Sequence, residues 1–344
     1  MGALSRLGLP CLTAEAVAFL DGHGIYTVED FLAYDLYRLG DGELQKQVIA
    51  GLLQHVAATT NCTWTDGATL FERLTTSTTL VSTGCPSIDD VIGGGLRPGT
   101  ITELVGTSAS GKTQLCLQAA AAAALELRAS VAFIDTSNSF SAHRLAQIVT
   151  GLHGKDKFVE HKQELRNVAR RVLCFKAFDI YTALRLLDDL LVHMDGAESK
   201  RGGDGNQGDF FQKLQLLILD SASAIISPVL GGAHTQGHAL MVSLSGLLRQ
   251  IALKHNIAVL VTNHTVSGEG GRPKPALGES WKSVPSVRLA LAREDESDCC
   301  TATVTKHTIG ACGESVPYVL SRDGLRAFEA EEPGATQQLE WRQE

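Results

Sequence analysis

A chain of 344 residues has room for one large core and a small appendage. With 44% hydrophobic and 20% charged residues it is not a wholly disordered protein, and a net charge of −8 excludes global attraction to DNA or to an anionic membrane, so any polyanion site has to be local. The most apolar stretch, Leu115 to Leu127, spans 13 residues between Lys112 and Arg128; it is too short for a bilayer and rich in alanine, and reads as a packed helix. The start, MGALSRLGLP, has neither a long apolar run nor a cleavage pattern, and a soluble intracellular protein is expected. Eight scattered cysteines without a CxxC pair in a chain of this length do not form a disulfide framework. Cys299, Cys300 and Cys312 have no histidine at zinc-finger spacing, and CCTATVTK reads as a strand of alternating polarity.

Residues 1–58 read as short helices joined by turns, with apolar residues near helical spacing over Leu12–Leu20 and Val28–Leu39, broken at 21–25 and 40–43. Three basic against seven acidic residues is the wrong sign for a helix-turn-helix DNA reader, so a small all-helical domain that packs or binds protein is expected. Residues 59–79 turn polar and threonine-rich and read as a linker, in which ATLFERL (68–74) has the pattern of a helical turn or two. From Leu80 the pattern is strand, glycine loop, helix, strand, helix, repeated. Strands are expected at 101–105, 130–135, 171–175, 214–220, 257–263 and 287–292. Their near-continuous apolar runs fit strands buried on both faces of an α/β, mainly parallel central sheet. Two more strands, near 300–306 and 316–320, extend an edge and complete a core over 80–328. The glycine-rich, mixed-charge 195–209 reads as a disordered surface loop and the acidic 329–344 as a frayed tail.

The segment GTSASGKT carries the chemistry. Gly106, Thr107, Ser108, Ala109, Ser110, Gly111, Lys112 and Thr113 match G-x-x-x-x-G-K-[ST], directly after the strand ITELV and before the helix that opens at QLCLQ. Glycines at both ends let the backbone curl so that successive N–H groups face phosphate oxygens, and the helix N-terminus adds partial positive charge. Lys112 then reaches the β- and γ-phosphates, and the Thr113 hydroxyl is suited to Mg²⁺. Such a loop calls for an apolar strand ending in an aspartate for the magnesium shell; LLILD, ending at Asp220, supplies it.

From about Leu80 to Phe328 the chain resembles the RecA-like strand-exchange ATPases in their eukaryotic recombinase branch. The resemblance rests on STGCPSIDDVIGGGLRPGTITELVG (82–106), the phosphate loop, AFIDTSNSFSAHRL (132–145), LLILDSASAI (216–225) and IAVLVTNH (257–264). SPVLGG, TNH, KPALGESWKSVPSVRL and the N-terminal LPCLTAEAVAFLDGHGIYTVEDFLAYD are most similar to the delta-type paralogues of that branch. The resemblance implies a RecA-like P-loop core behind a small helical domain, ATP and Mg²⁺ as cofactors, and homologous-recombination repair of double-strand breaks in the nucleus. It also implies other paralogues in a heteromeric complex, the main recombinase filament and single-stranded DNA as partners, and no membrane.

By the same resemblance Lys112, Thr113 and Asp220 hold triphosphate and magnesium, and Arg144 stacks on the adenine, unless it is a surface helix arginine. Asn263 sits where the family senses the γ-phosphate, and His264 follows where glutamine is usual; His264 either senses nucleotide or packs. The family's general base, a glutamate two residues after the aspartate of AFID, is here Ser137, which implies nucleotide binding with slow hydrolysis. Glu103 is expected to be structural. The family's mobile loops fall at 228–238 and 265–283, and 265–293 holds five cations against two carboxylates. Arg272, Lys274 and Lys282 are the expected DNA contacts, with Trp281 offering a stacking face or else packed in the core. Within 228–238, His234 and His238 stand at i, i+4 spacing, but glycines 231, 232 and 237 argue against a helix there, so no metal pair is expected. Two functions stay open: an ATP-binding paralogue with slow, DNA-stimulated hydrolysis, and a non-hydrolysing adaptor in which ATP stabilises a subunit interface.

Overall fold

The computed structural model describes residues 4, 7–40, 42–59, 66–69, 72, 79–153, 158–199, 210–230, 236–268, 273–293 and 299–328. Contacts divide the chain into two compact units, Met1–Ser77 and Thr78–Glu344, and the division falls inside the segment read as a linker.

The first unit is helical. Helix α1 (Ala14–Gly22) is capped by the Thr13 hydroxyl, which accepts from the Ala16 N–H, and α2 (Val28–Ala33) by a reciprocal box between Thr27 and Asp30. The sequence pattern runs this second helix to Leu39, but Tyr34 is extended and stops it, and a separate 3-10 turn covers Leu36–Leu39. Helix α3 (Glu43–Thr59) completes the unit, and Ala16, Leu20, Phe31, Val48 and Leu52 are buried in its core. Further on, Asp66 caps a helical turn at 67–69 through the Thr69 N–H.

The second unit opens with α4 (Pro86–Val91), whose proline sits in the first turn, where no N–H is needed. Then follow β1 (Ile101–Gly106), α5 (Lys112–Glu126), β2 (Ser130–Asp135), α6 (Ala142–His153), α7 (Phe158–Arg171), β3 (Val172–Lys176), α8 (Ile180–Ser199) and β4 (Leu214–Asp220). After these come α9 (Ala222–Leu230), α10 (Gln236–His255), β5 (Ala258–Ser267), β6 (Pro273–Pro275), α11 (Gly278–Lys282), β7 (Val287–Arg293), β8 (Cys299–His307), β9 (Ser315–Ser321) and β10 (Gly324–Ala327). Ten strands form one sheet in the order β10-β9-β8-β7-β1-β5-β4-β2-β3, with β6 paired to β5 alone. From β7 to β3 neighbours are parallel; β8, β9 and β10 run antiparallel and continue the sheet. All eight expected strands are present; β6 and β10, of three and four residues, are too short to leave a pattern.

Side chains alternate between two cores. Val131, Phe133, Leu216, Ile218 and Leu260 face α4 to α7, whereas Ala132, Ile134, Leu217, Leu219, Val259 and Val261 face α8 to α11. This is the period-2 consequence of a sheet covered on both sides, and it explains why the strands read as unbroken apolar runs. The alanine-rich stretch is the buried α5: Ala119 to Ala124 are all inaccessible, and with nothing beyond Cβ they let the helix lie close on the sheet. Tyr318 of β9 and Leu325 of β10 join the same core, so the antiparallel strands pack over α5.

Two expectations are corrected. The first part of 195–209 is not loop: α8 continues to Ser199, and Asp195 pairs with Lys254 of α10 at 2.7 Å. The rest, 200–209, lies outside the described residues, as does the tail at 329–344. Gly237 and His238 are helical, in the first turn of α10, while 231–235 lie outside the described residues. No helix among the described residues is long and apolar enough to cross a membrane.

Candidate nucleotide site

The C-terminal ends of β1, β2, β4 and β5 lie side by side, with Asp135 in register with Asp220 and Gly106 with His264. In an open α/β sheet this end is where ligands bind. Between β1 and α5 the loop at 107–110 turns on Ala109 at φ 61 and on Gly111 at φ 90, a left-handed conformation that favours glycine at the N-cap. Thr107, Ser108 and Ala109 are exposed, and Ser110, Gly111 and Lys112 are buried.

Lys112 folds back into its own loop. Its Nζ donates to the Gly106 carbonyl at 2.8 Å and the Thr107 carbonyl at 2.6 Å and lies 3.4 Å from Ser110 Oγ. Burial draws this ammonium below the ordinary lysine range, and Asp220 opposes the shift. The Thr113 hydroxyl donates to Asp220 Oδ2 at 2.7 Å, so the two oxygens expected at a magnesium ion already stand together. Ser139 donates to the same oxygen at 3.3 Å, and Thr262 of β5 donates to Oδ1. Asp135, in contrast, is saturated by backbone: Oδ1 accepts from the N–H groups of Ser137 and Ser139, and Oδ2 from that of Phe140. It shapes the turn that carries Ser137, whose hydroxyl contacts Ser139 at 3.2 Å. The hydroxyl of Thr136 binds both N–H and carbonyl of Ser221, tying the ends of β2 and β4 together.

The arrangement fits a magnesium-bound triphosphate by the chemistry of its donors. Gly106 to Gly111 would supply the phosphate cradle, Lys112 a point charge, and Thr113 with Asp220 hard oxygens for the cation. Arg144 of α6 stands beside this loop, its Nε donating to Gln114 at 2.6 Å, Nη1 to Gln147 at 3.1 Å and to the Arg322 carbonyl, and Nη2 to the Ser321 carbonyl at 2.9 Å. These edgewise bonds fix the guanidinium plane.

Asn263 is fully buried at the end of β5: its Nδ2 donates to Glu103 Oε1 at 2.9 Å, and its Oδ1 has no hydrogen-bond partner among the described residues. Its neighbour His264 is the exposed residue at that position, with its N–H donated to Ser223 Oγ at 3.0 Å. Partial burial and then Lys112 draw the imidazole below the ordinary histidine range, against the pull of Asp220. Glu103 is structural as expected: its inaccessible carboxylate accepts from Asn263, from Trp281 Nε1 at 2.9 Å and from Arg288. Trp281 therefore offers no stacking face; it is wholly buried on α11.

The expected DNA contacts divide. Lys274 is exposed on β6, in a hairpin that pairs Val266 with Lys274. Lys282 is exposed but ion-paired with Glu279 at 3.3 Å, Arg288 is held by Glu103, and Arg272 lies outside the described residues. Sequence reasoning missed Tyr318, Thr262 and Ser139. Their contacts join positions far apart in the chain, and only the alternating strand around Tyr318 gave any signal.

A phosphate loop opening a helix at the C-terminal edge of a parallel sheet, with an aspartate at the end of the next strand but one, defines a RecA-like P-loop protein. More narrowly, the chain belongs to the Rad51 family, whose pattern it matches over residues 75–294. It is 34% identical to DNA repair protein RAD51 homolog 4 of Bos taurus over 97% of this chain and 100% of that one. Against the protein of the same description from Mus musculus it is 36% identical over 85% of this chain and 84% of the other. Among solved structures, a RadB recombinase is similar with a TM-score of 0.57 at 24% identity, covering 73% of this chain and all of that one, a likeness of fold.

Proposed function

We propose that this chain binds ATP with Mg²⁺ between Lys112, Thr113 and Asp220 and acts as a recombinase paralogue in homologous-recombination repair in the nucleus, with nucleotide occupancy rather than rapid turnover as its working state. The observation that carries the reading is the pairing of a fully formed phosphate loop and Thr113–Asp220 contact with Ser137 at the general-base position. A serine hydroxyl is a poor base near pH 7, and loss of such help slows proton transfer by roughly 10²- to 10⁴-fold. Bound ATP would supply the triphosphate charge that frees Lys112 from its loop carbonyls, and Arg144 would present its fixed plane to the base.

Single-stranded DNA contact is assigned to the β5–β6 hairpin and the turn into α11, with Arg272, Lys274 and Lys282 on phosphates. Lys274 is the better-placed of the two described lysines, since Lys282 has to leave Glu279. Assembly with other paralogues and support of the main recombinase filament are part of the same proposal, supported by the likeness to RAD51 paralogues. A groove of about 900 Å³ at the open edge of β3, where Arg128, Arg170, Arg171 and Arg185 surround Leu173 and Phe175, suits a partner segment bearing carboxylates and an apolar anchor.

Single-turnover ATP hydrolysis with and without single-stranded DNA tests the reading. The wild type should turn over slowly and faster with DNA, the Lys274→Ala/Lys282→Ala double variant should lose the stimulation, and Ser137→Glu should raise the rate. Firm ATP binding without turnover or DNA response favours the adaptor reading, to which Ser137 also points; rapid turnover by the wild type contradicts both.

A further inference from the structure

The phenol of Tyr318 is the one wholly buried hydroxyl that β9 sends toward the phosphate loop. It donates to the Ser110 carbonyl at 2.9 Å, across 208 positions of sequence. A Cβ placed on Gly111 would lie 3.3 Å from that hydroxyl and 3.3 Å from Leu320, so the hydroxyl and the leucine side chain stand directly against the loop. Burial, and then Cys300 beside it, push the phenol far above its ordinary range, and it stays a donor at every physiological pH.

Peptide geometry gives this bond a consequence. In a trans peptide the carbonyl and the following N–H point to opposite sides of the chain. With the Ser110 carbonyl held outward against β9, the Gly111 N–H is turned to the inner side of the loop, where phosphate oxygens would lie. The other loop carbonyls are held differently. Those of Gly106 and Thr107 are served by Lys112 Nζ, which must leave them to meet a phosphate. The Tyr318 bond is the anchor that need not break when ligand arrives.

The position of the hydroxyl is itself set by the outer strands, because Tyr318 is in register with Cys300 of β8 and with Ala327 of β10. The antiparallel extension of the sheet thus hydrogen-bonds the phosphate loop through the Tyr318 side chain. We propose that Tyr318 is a positioning residue for nucleoside di- and triphosphates, fixing the Ser110–Gly111 peptide so that the Gly111 N–H faces the β-phosphate. This inference rests on the ATP-binding reading above.

The test is Tyr318→Phe in the full-length protein, which keeps the ring and removes the hydroxyl. Dissociation constants are measured by calorimetry for MgATP, MgADP and AMP, together with the melting temperature without nucleotide. MgATP and MgADP should bind about five- to tenfold more weakly, the size of one lost hydrogen bond, while AMP, which lacks the β-phosphate, is unchanged. Leu320→Ala, which loosens packing on Gly111 but keeps the hydroxyl, should lower the melting temperature and leave the ATP-to-AMP affinity ratio as it was.

An unchanged ratio in Tyr318→Phe overturns the inference alone, provided the wild type binds ATP. So does a change in Leu320→Ala equal to that in Tyr318→Phe. A Tyr318→Phe protein too unstable to purify also counts against it, because the hydroxyl would then hold the fold rather than the loop. A wild type that takes up no ATP overturns this inference and the nucleotide reading together.

Discussion

Glu103 shows how one buried carboxylate organises the region behind the nucleotide site. Three donors from three elements converge on it: Asn263 of β5, Trp281 of α11 and Arg288 of β7. A charge buried this deeply is tolerated only when paired and hydrogen-bonded. Removing one partner of such a pair is costly because the other is left uncompensated. Glu103→Gln should therefore destabilise the protein by about 3 kcal/mol or more. Trp281→Phe leaves Glu103 with its two other donors and should cost about 1 kcal/mol. Urea unfolding of the two variants checks this, and equal costs would contradict the account of Glu103 as a charge hub. A structural role for Glu103 was legible, since it sits inside an apolar strand. That Trp281 is one of its partners was not: a tryptophan among lysines and a glutamate has the same local pattern as an exposed stacking residue, and only the fold brings it under β1.

At the scale of elements, the passage from α9 to α10 separates propensity from packing. Glycine at 237 reads as a helix breaker, yet the residue lies in the first turn of α10, where a Cβ would stand 2.1 Å from the Val229 carbonyl oxygen. The glycine is there to let two backbones approach. On helix propensity alone Gly237→Ala would gain about 1 kcal/mol, whereas the overlap costs about 1–3 kcal/mol and involves backbone that cannot rotate away. Packing wins, and thermal or urea denaturation should find the variant less stable; a stabilised Gly237→Ala would show that the close approach is not as described. The strands could be read because burial on both faces leaves an unbroken apolar run. The helical end of 195–209 could not, because Asp195–Ser199 continue the long helix α8 while the glycine-rich run that follows dominates the local composition.

Over the whole molecule, two cores on either side of one sheet bring together elements that a linear reading keeps apart. The phosphate loop, Asp220 and their strand context were legible because phosphate binding needs a fixed spacing of small residues, a lysine and a hydroxyl within one short segment. The walls of that site were not, since Tyr318 arrives from β9 and Thr262 from β5 through long-range packing. Net charge carries a similar lesson. The chain is acidic overall, and its most basic stretch, 265–293, gives up part of its surplus to Glu103, which lies outside the stretch and holds Arg288, while Lys282 is tied to Glu279 within it. The proposed DNA contact therefore rests on a few cations around the β5–β6 hairpin.

The most direct check on the central claim is a calorimetric titration of the folded protein with ATP in the presence and absence of magnesium. Magnesium-dependent binding of one ATP per chain, weakened about tenfold or more by Lys112→Ala, is what the Lys112–Thr113–Asp220 arrangement predicts. No heat of binding, or the same affinity without the lysine, would contradict it.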